Sequence, residues 1–228
     1  MNRSDVPVIT IDGPAGSGKG TIAKTLVKKL GYHYLDSGAL YRILALLSQQ
    51  QQIETNNIEA ITELCRSMQV RFELIPEAEH VGVIVNHTDV SAQIRTEECA
   101  TRASELAALV EIRANLLEKQ QAFRQMPGLV AEGRDMGTVV FPQAEHKFYL
   151  TASAAARALR RQKQLKKQGI SASLDRLLNE IEARDSRDIE RANSPLRPAA
   201  DAVLVDSTDL TIDQVVQRIV GIVCHEEP

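Results

Sequence analysis

The 228-residue chain contains no tryptophan, only four phenylalanines and four tyrosines, and three widely spaced cysteines. Cys65, Cys99 and Cys224 form no C-x-x-C pair and no Cys/His cluster, which argues against a disulfide framework or a structural zinc and suits a reducing compartment. No stretch approaches the roughly 18 apolar residues that a membrane span needs, and the N-terminal MNRSDVPVITID lacks the apolar centre of a signal peptide. Basic residues number 27 and acidic residues 30, so a net charge of −3 gives the whole molecule no field that would draw nucleic acid or a membrane surface. Any anion site must therefore be local. No exposed apolar stripe is evident either, and the expectation is a cytoplasmic monomer with neither nucleic acid nor membrane as partner.

What the chain does have is enough apolar content, 43 %, to bury one substantial core. Apolar runs predict strands at Val6–Asp12, Tyr32–Leu35, Gly128–Ala131, Lys147–Leu150 and Ala202–Val205, with helical periodicity between them. That alternation predicts an α/β fold, a five-stranded parallel sheet covered by helices on both faces, with sites at the carboxyl ends of the strands. A helix over Lys19–Leu30 is expected to stop at Gly31, and TIDQ at Thr211–Gln214 has the form of a capping box. The polar run SQQQQIE reads as a solvated helix end or loop.

Two segments interrupt the alternation. Val70–Ile75 and Val81–Asn86, separated by PEAEH, read as a β-hairpin within an inserted subdomain of approximately residues 64–105. Residues 154–192 read as two charge-rich helices joined at KKQGIS, a mobile hairpin or lid. The basic run AARALRRQKQLKK within it would suit a solvated face or an RNA-binding arm, but no aromatic residue interleaves it.

The most specific local signal lies between the first strand and the first helix. Gly13-Pro14-Ala15-Gly16-Ser17-Gly18-Lys19 fits G-x-x-x-x-G-K, a loop whose backbone N–H groups wrap phosphate oxygens while a helix N-terminus and a lysine add positive charge. Gly20 follows the lysine, with Thr21 one place later, so the hydroxyl that usually meets Mg²⁺ directly after the lysine is displaced or absent. Asp12, Asp36 and Glu132 lie near the motifs, and each could orient metal-bound water.

GPAGSGKGT, LDSGALYR, GRDMGTVVFP and ARDSRD together resemble the bacterial cytidylate kinases, a branch of the nucleoside monophosphate kinases, over nearly the whole chain. The resemblance implies a P-loop kinase fold with an enlarged monophosphate-binding insertion, and phosphorylation of CMP and dCMP by ATP with Mg²⁺. It assigns Gly13 to Thr21 to ATP, with Arg157, Arg160 and Arg161 as lid residues near it. Ser37 and Arg42 would hold the acceptor's phosphate, although a plain N-cap would also account for Ser37. Arg134 is implied at phosphate and Asp135 at the cytosine ring, where a carboxylate suits the N4 amino donor of cytosine and opposes the O4 acceptor of uracil. Ser104 and Arg113 complete the base-reading set by resemblance.

One helix carries a signal of its own. Leu174, Leu177, Leu178 and Ile181 form an apolar stripe that continues at helical spacing into Arg184, Asp188 and Arg191. Arg184 and Asp188 could pair with each other at i, i+4. The resemblance instead places Arg184 and Arg191 at phosphates and Asp188 at the sugar hydroxyl. Lys19, Arg134, Arg184 and Arg191 are then the groups expected to act in the transfer itself.

Overall fold

The computed structural model describes residues 5–75, 81–167, 169–191 and 193–225. Strands β1 (Val8–Asp12), β2 (His33–Asp36), β6 (Leu129–Gly133), β7 (His146–Thr151) and β8 (Val203–Asp206) form one parallel sheet in the order β2-β6-β1-β7-β8. The predicted strands are all present, with ends that differ by no more than two residues.

Alternate side chains explain how both faces are filled. From β1 and β6, Val8, Leu129 and Ala131 enter one cluster with α2 (Ser37–Gln50), α3 (Ile58–Ser67), α4 (Glu97–Leu106) and α5 (Val110–Gln121). Their neighbours Ile9, Ile11 and Val130 enter a second cluster, where they meet Ile22, Leu26 and Val27 of α1 (Lys19–Leu30) and Val215, Val216 and Ile219 of α8 (Ile212–His225). Ile11 and Leu26 are wholly buried, and each such side chain contributes about 1.5–3 kcal/mol of transfer free energy.

Local signals place the helix ends. α1 stops at Gly31, whose left-handed φ of 69° lets its N–H reach the Val27 carbonyl. Thr211 and Gln214 form both arms of the capping box, at 3.2 and 2.9 Å. β2 runs into α2 without a loop, and the N-cap is Asp36, whose Oδ1 accepts from the Ala39 N–H at 3.0 Å. Ser37 is therefore the first helical residue and not the cap. The glutamines 49 to 52 are exposed at the end of α2, as a solvated helix end should be.

β3 (Val70–Leu74) and β4 (Val81–Val85) pair antiparallel, and a short third strand, β5 (Thr88–Asp89), which the sequence does not predict, joins β4. The connection PEAEH lies outside the described residues. Val83 and Val85 pack into the α2–α5 cluster, while Phe72 stands edge-on to Tyr34 of β2, so the small sheet is seated on the main domain. α6 (Ala154–Lys167) and α7 (Leu174–Ile189) pack on each other through their own small cluster of Ala158, Leu177 and Ile181. Among the described residues no helix is long and apolar enough to cross a membrane.

Candidate active site

Residues 13 to 18 pass from β1 to α1 at the carboxyl edge of the sheet. A Cβ on Gly13 would stand 2.0 Å from the Leu150 carbonyl oxygen, and Gly13 has φ 148°, so glycine is required where the loop passes β7. Lys19 is buried and donates from Nζ to the Pro14 carbonyl at 2.9 Å, folding its ammonium back over the loop. Burial, and then the nearby Arg134, push Lys19 down from the usual lysine range. Gly20 answers the missing hydroxyl: a Cβ there would be 3.0 Å from Glu132 Oε1, so a carboxylate from β6 occupies the space a side chain would need.

Nine residues from five parts of the chain converge on one cavity at this same edge. Ser37 and Arg42 come from α2, Ser104 from α4, Arg113 from α5, Arg134 and Asp135 from the turn after β6, and Arg184, Asp188 and Arg191 from α7 and the residues just beyond it. Five arginines against two aspartates make the cavity cationic, which suits an anionic guest. Arg134 Nε donates to Asp188 at 2.8 Å, and Arg191 approaches the other Asp188 oxygen at 3.1 Å. Burial would raise the Asp188 pKa, but Arg134, Arg191 and Arg184 together outweigh it and hold the carboxyl below its ordinary value. Asp188 thus pairs across the cavity with Arg134 rather than simply along its helix with Arg184. Arg191 Nη2 is buried and lacks an aligned hydrogen bond despite that close approach, which leaves a donor for a further partner. Arg184 is pushed down to about 10, first by burial and then by Arg134.

Arg113 pairs with Asp135, and both side chains are nearly buried, at 11 % and 6 % exposure. The Arg113 guanidinium also lies 5.8 Å from the centre of the Tyr41 ring. Tyr41 lines the cavity and is not anticipated by the motif reading, although it stands one helical turn after Ser37 on the same face.

The arginines of α6 divide differently from the expectation. Arg157 is buried beneath the phosphate loop; it donates to the carbonyls of Ala15 and Ala152 and makes a two-pronged contact with Asp185 of α7. Arg160 reaches the carbonyls of Ser17 and Thr208 and both the hydroxyl and carbonyl of Ser207. Arg161 instead turns away to Gln164 of its own helix, at 3.2 Å in an exposed hydrogen bond. As a correction, then, Arg161 is not brought to the phosphate loop: it and Arg160 both stand near the face that carries Arg157, but Ser207 in the loop after β8 engages Arg160 and leaves Arg161 to Gln164.

The three carboxylates near the motifs also separate. Asp12, 4 % exposed, accepts from the backbone N–H groups of Met136 and Gly137 with its two oxygens, both at 2.8 Å. Burial is the main cause that raises it to about 6. Asp36 is occupied as the α2 cap. Glu132 accepts from the Tyr34 hydroxyl through Oε1 and is raised by burial and by Asp36. Among the described residues no group of three or more His, Cys, Asp or Glu is placed to hold a metal ion by itself.

The family model described as Cytidylate kinase matches residues 9–225. Among curated relatives, the cytidylate kinase of Pseudomonas fluorescens is 52 % identical over 215 residues, covering 94 % of each chain. That of Aeromonas hydrophila is 51 % identical over 215 residues, covering 94 % of this chain and 93 % of its own. That of Stutzerimonas stutzeri is 50 % identical over 222 residues, covering 97 % of each.

Proposed function

The chain belongs to the cytidylate kinase family, and from that premise we infer that it transfers the γ-phosphoryl group of ATP to the phosphate of CMP or dCMP, yielding ADP and CDP or dCDP. The observation that carries this reading is the convergence of nine side chains on a cationic cavity beside the glycine loop, with a buried carboxylate, Asp135, among them. ATP lies with its phosphates in the loop of residues 13 to 21, under Lys19. CMP lies in the cavity, its phosphate toward Ser37, Arg42, Arg134, Arg184 and Arg191 and its sugar toward Asp188.

Base selection follows from donor and acceptor chemistry. Asp135 accepts from the N4 amino group of cytosine, Ser104 supplements that contact, and Arg113, which orients the carboxylate, donates to the ring acceptors N3 and O2. Uracil would set its O4 acceptor against the carboxylate, and a buried mismatch of this kind discriminates by roughly 10²–10⁵.

The attacking phosphate oxygen is already ionised at neutral pH, so no general base is required. Catalysis consists of holding donor and acceptor in line and neutralising charge on the transferred group. Lys19, Arg134, Arg184 and Arg191 do this. Phosphate anions beside Lys19 restore its ammonium, which burial otherwise disfavours. Mg²⁺ arriving with ATP supplies further charge neutralisation. Of the nearby carboxylates, Glu132 would fit it best: Asp12 and Asp36 are bonded to backbone amides, whereas Glu132, bonded to the Tyr34 hydroxyl through Oε1, stands against Gly20 in the space where the usual hydroxyl would project. The helices of residues 154–192 and the insertion of residues 64–105 act as covers that exclude water from the transfer. The cavity is completed by side chains of one chain, which supports action as a monomer.

The test is ADP release from Mg-ATP with no acceptor, CMP, dCMP, UMP, AMP or RNA. Strong stimulation by CMP and dCMP, with little by UMP or AMP, is expected. Turnover that ignores CMP and rises with RNA would overturn the reading.

A further inference from the structure

Asp12 belongs to neither nucleotide site, yet it is the buried group that touches the construction of both. It is the last residue of β1, and Gly13 of the phosphate loop follows it directly. Its carboxylate crosses to the neighbouring strand's exit: Oδ1 accepts from Met136 N–H and Oδ2 from Gly137 N–H, each at 2.8 Å. Met136 and Gly137 open the tight turn that follows Arg134 and Asp135, a one-turn π-helical segment over residues 136–140. Such a turn leaves its first amides without partners inside the segment. A wholly buried amide pair of this kind is costly unless acceptors are supplied.

The ionised form of Asp12 suits this task. Two parallel N–H donors need two acceptor oxygens, which a carboxylate has and a carboxamide lacks. Burial raises its pKa to about 6, so keeping it ionised at neutral pH costs folding free energy. Lys19 is near enough to offset part of that cost, but its ammonium is hydrogen-bonded to the Pro14 carbonyl. The turn packs closely on its neighbours: a Cβ on Gly137 would lie 2.9 Å from Thr10 Oγ1, and one on Gly133 would lie 2.9 Å from Met136 Cγ. The turn is thus pressed onto β1 and pinned there by one side chain.

We propose that Asp12 is a positioning residue for cytosine selection: by clamping the Met136 and Gly137 amides it fixes where Asp135 presents its carboxylate, and it ties that presentation to the strand that carries the phosphate loop. Asp12 touches no substrate. It acts through the turn, and its loss loosens Asp135 and Arg134 while leaving the phosphate loop able to bind ATP. The inference rests on the CMP kinase reading above for the identity of the base, but the clamp itself can be measured without it.

The experiment uses the full chain as wild type, Asp12→Asn, Asp135→Asn and the double variant. Three quantities are measured: the ratio of kcat/KM for CMP to that for UMP, the Kd of a fluorescent ATP analogue, and amide hydrogen exchange at Met136 and Gly137 with and without CMP. In wild type both amides exchange slowly. Asp12→Asn lowers the CMP to UMP ratio about tenfold while analogue binding stays within about twofold. In the Asp135→Asn background, Asp12→Asn changes the ratio no further, since the residue through which it acts is already altered. An unchanged ratio in Asp12→Asn, an equal loss toward CMP and UMP, or freely exchanging wild-type amides would each overturn the proposal. If Asp12→Asn does not fold, the wild-type amides decide: added CMP slows their exchange further if the clamp serves the acceptor site, and no change overturns it. A wild type without CMP-stimulated turnover ends the kinase reading, whereas the exchange rates still report whether the clamp exists.

Discussion

The two halves of the site meet at one sheet edge but hold charge in opposite ways. On the donor side the phosphate loop is a backbone device, and the arginines nearest to it, Arg157 and Arg160, spend their donors on its carbonyls and on neighbouring protein groups. On the acceptor side Arg113, Arg134 and Arg191 line a shared cavity and pair with aspartates that also face it. On the function proposed above, the donor half would be general, holding any triphosphate that fits the loop, while the acceptor half would be selective, because side chains with directional donors and acceptors would read the guest.

The largest effect should come from Lys19, the donor-side side chain proposed to meet phosphate. Lys19→Ala is expected to lower kcat about 10²–10³-fold, the size of losing one preorganised charge-stabilising group, with the KM for CMP changing little. Single-turnover kinetics at saturating ATP check this. An unchanged kcat would move Lys19 out of the transfer and leave the loop a purely backbone device.

On the acceptor side, Asp135→Asn should cost roughly 10²-fold in discrimination of CMP from UMP, because the new carboxamide can turn an N–H toward O4 of uracil. Competition between the two acceptors reports it directly. Asp135→Ala is expected to be the more damaging protein change, since it leaves Arg113 buried without its carboxylate, a situation that costs about 3–5 kcal/mol. The contrast between these two variants separates reading the base from holding the fold.

How far the sequence anticipates each half follows from the same contrast. A backbone device leaves its trace as glycines at fixed spacing, so residues 13 to 19 and the turn into α1 are legible without any relative. The α7 stripe that turns from Leu177 and Ile181 to Arg184 and Asp188 is legible from helical period alone, and Arg191 joins the cavity from just past the helix end. Ser104 and Arg113, by contrast, look like ordinary helix residues, and only resemblance to a family places them in the cavity. What escapes both routes is contact between distant residues that carry no local pattern. Tyr34 to Glu132 is a bond across neighbouring parallel strands, Asp12 to Met136 is one from β1 to the turn after β6, and the partners of both are fixed by strand order. Arg161 fails for a finer reason: spacings of three and four from Arg157 both remain near one helix face, and the packing of β8's following loop selects Arg160.

That selection gives a moderate effect to measure. Arg157→Lys keeps the charge but cannot reproduce the contacts to Ala15, Ala152 and both oxygens of Asp185. It should raise the KM for ATP about tenfold through a displaced loop, whereas Arg161→Ala stays within about twofold. Equal effects at 157 and 161 would erase the distinction between an arginine that builds the donor loop and one that faces solvent.

The smallest effect sets two buried aspartates against each other. Asp12 beside the donor loop is bonded to amides and raised by burial from 3.8 to about 6. Asp188 in the acceptor cavity is surrounded by arginines and lowered from 3.8 despite its burial. Between pH 3.8 and about 6 the folded chain holds a proton on Asp12 that the unfolded chain has released, so the contribution of this group to stability is present below pH 3.8 and is lost as pH rises through about 6. Asp188 has the opposite sign: its contribution is present above pH 3.8 and is lost as pH falls through its lower folded value. Subtracting the Tm of Asp12→Asn from that of wild type should therefore give a difference that decreases from pH 4 to 6.5 and then levels. The two-unit shift corresponds to at most about 3 kcal/mol, or several degrees in a chain of this size. The same subtraction with Asp188→Asn should be level over that range and fall only at lower pH. Two curves of the same sign would mean that the amide clamp and the arginine cluster impose the same electrostatic environment, and the division between a backbone-built donor half and a side-chain-built acceptor half would not extend to their buried charges.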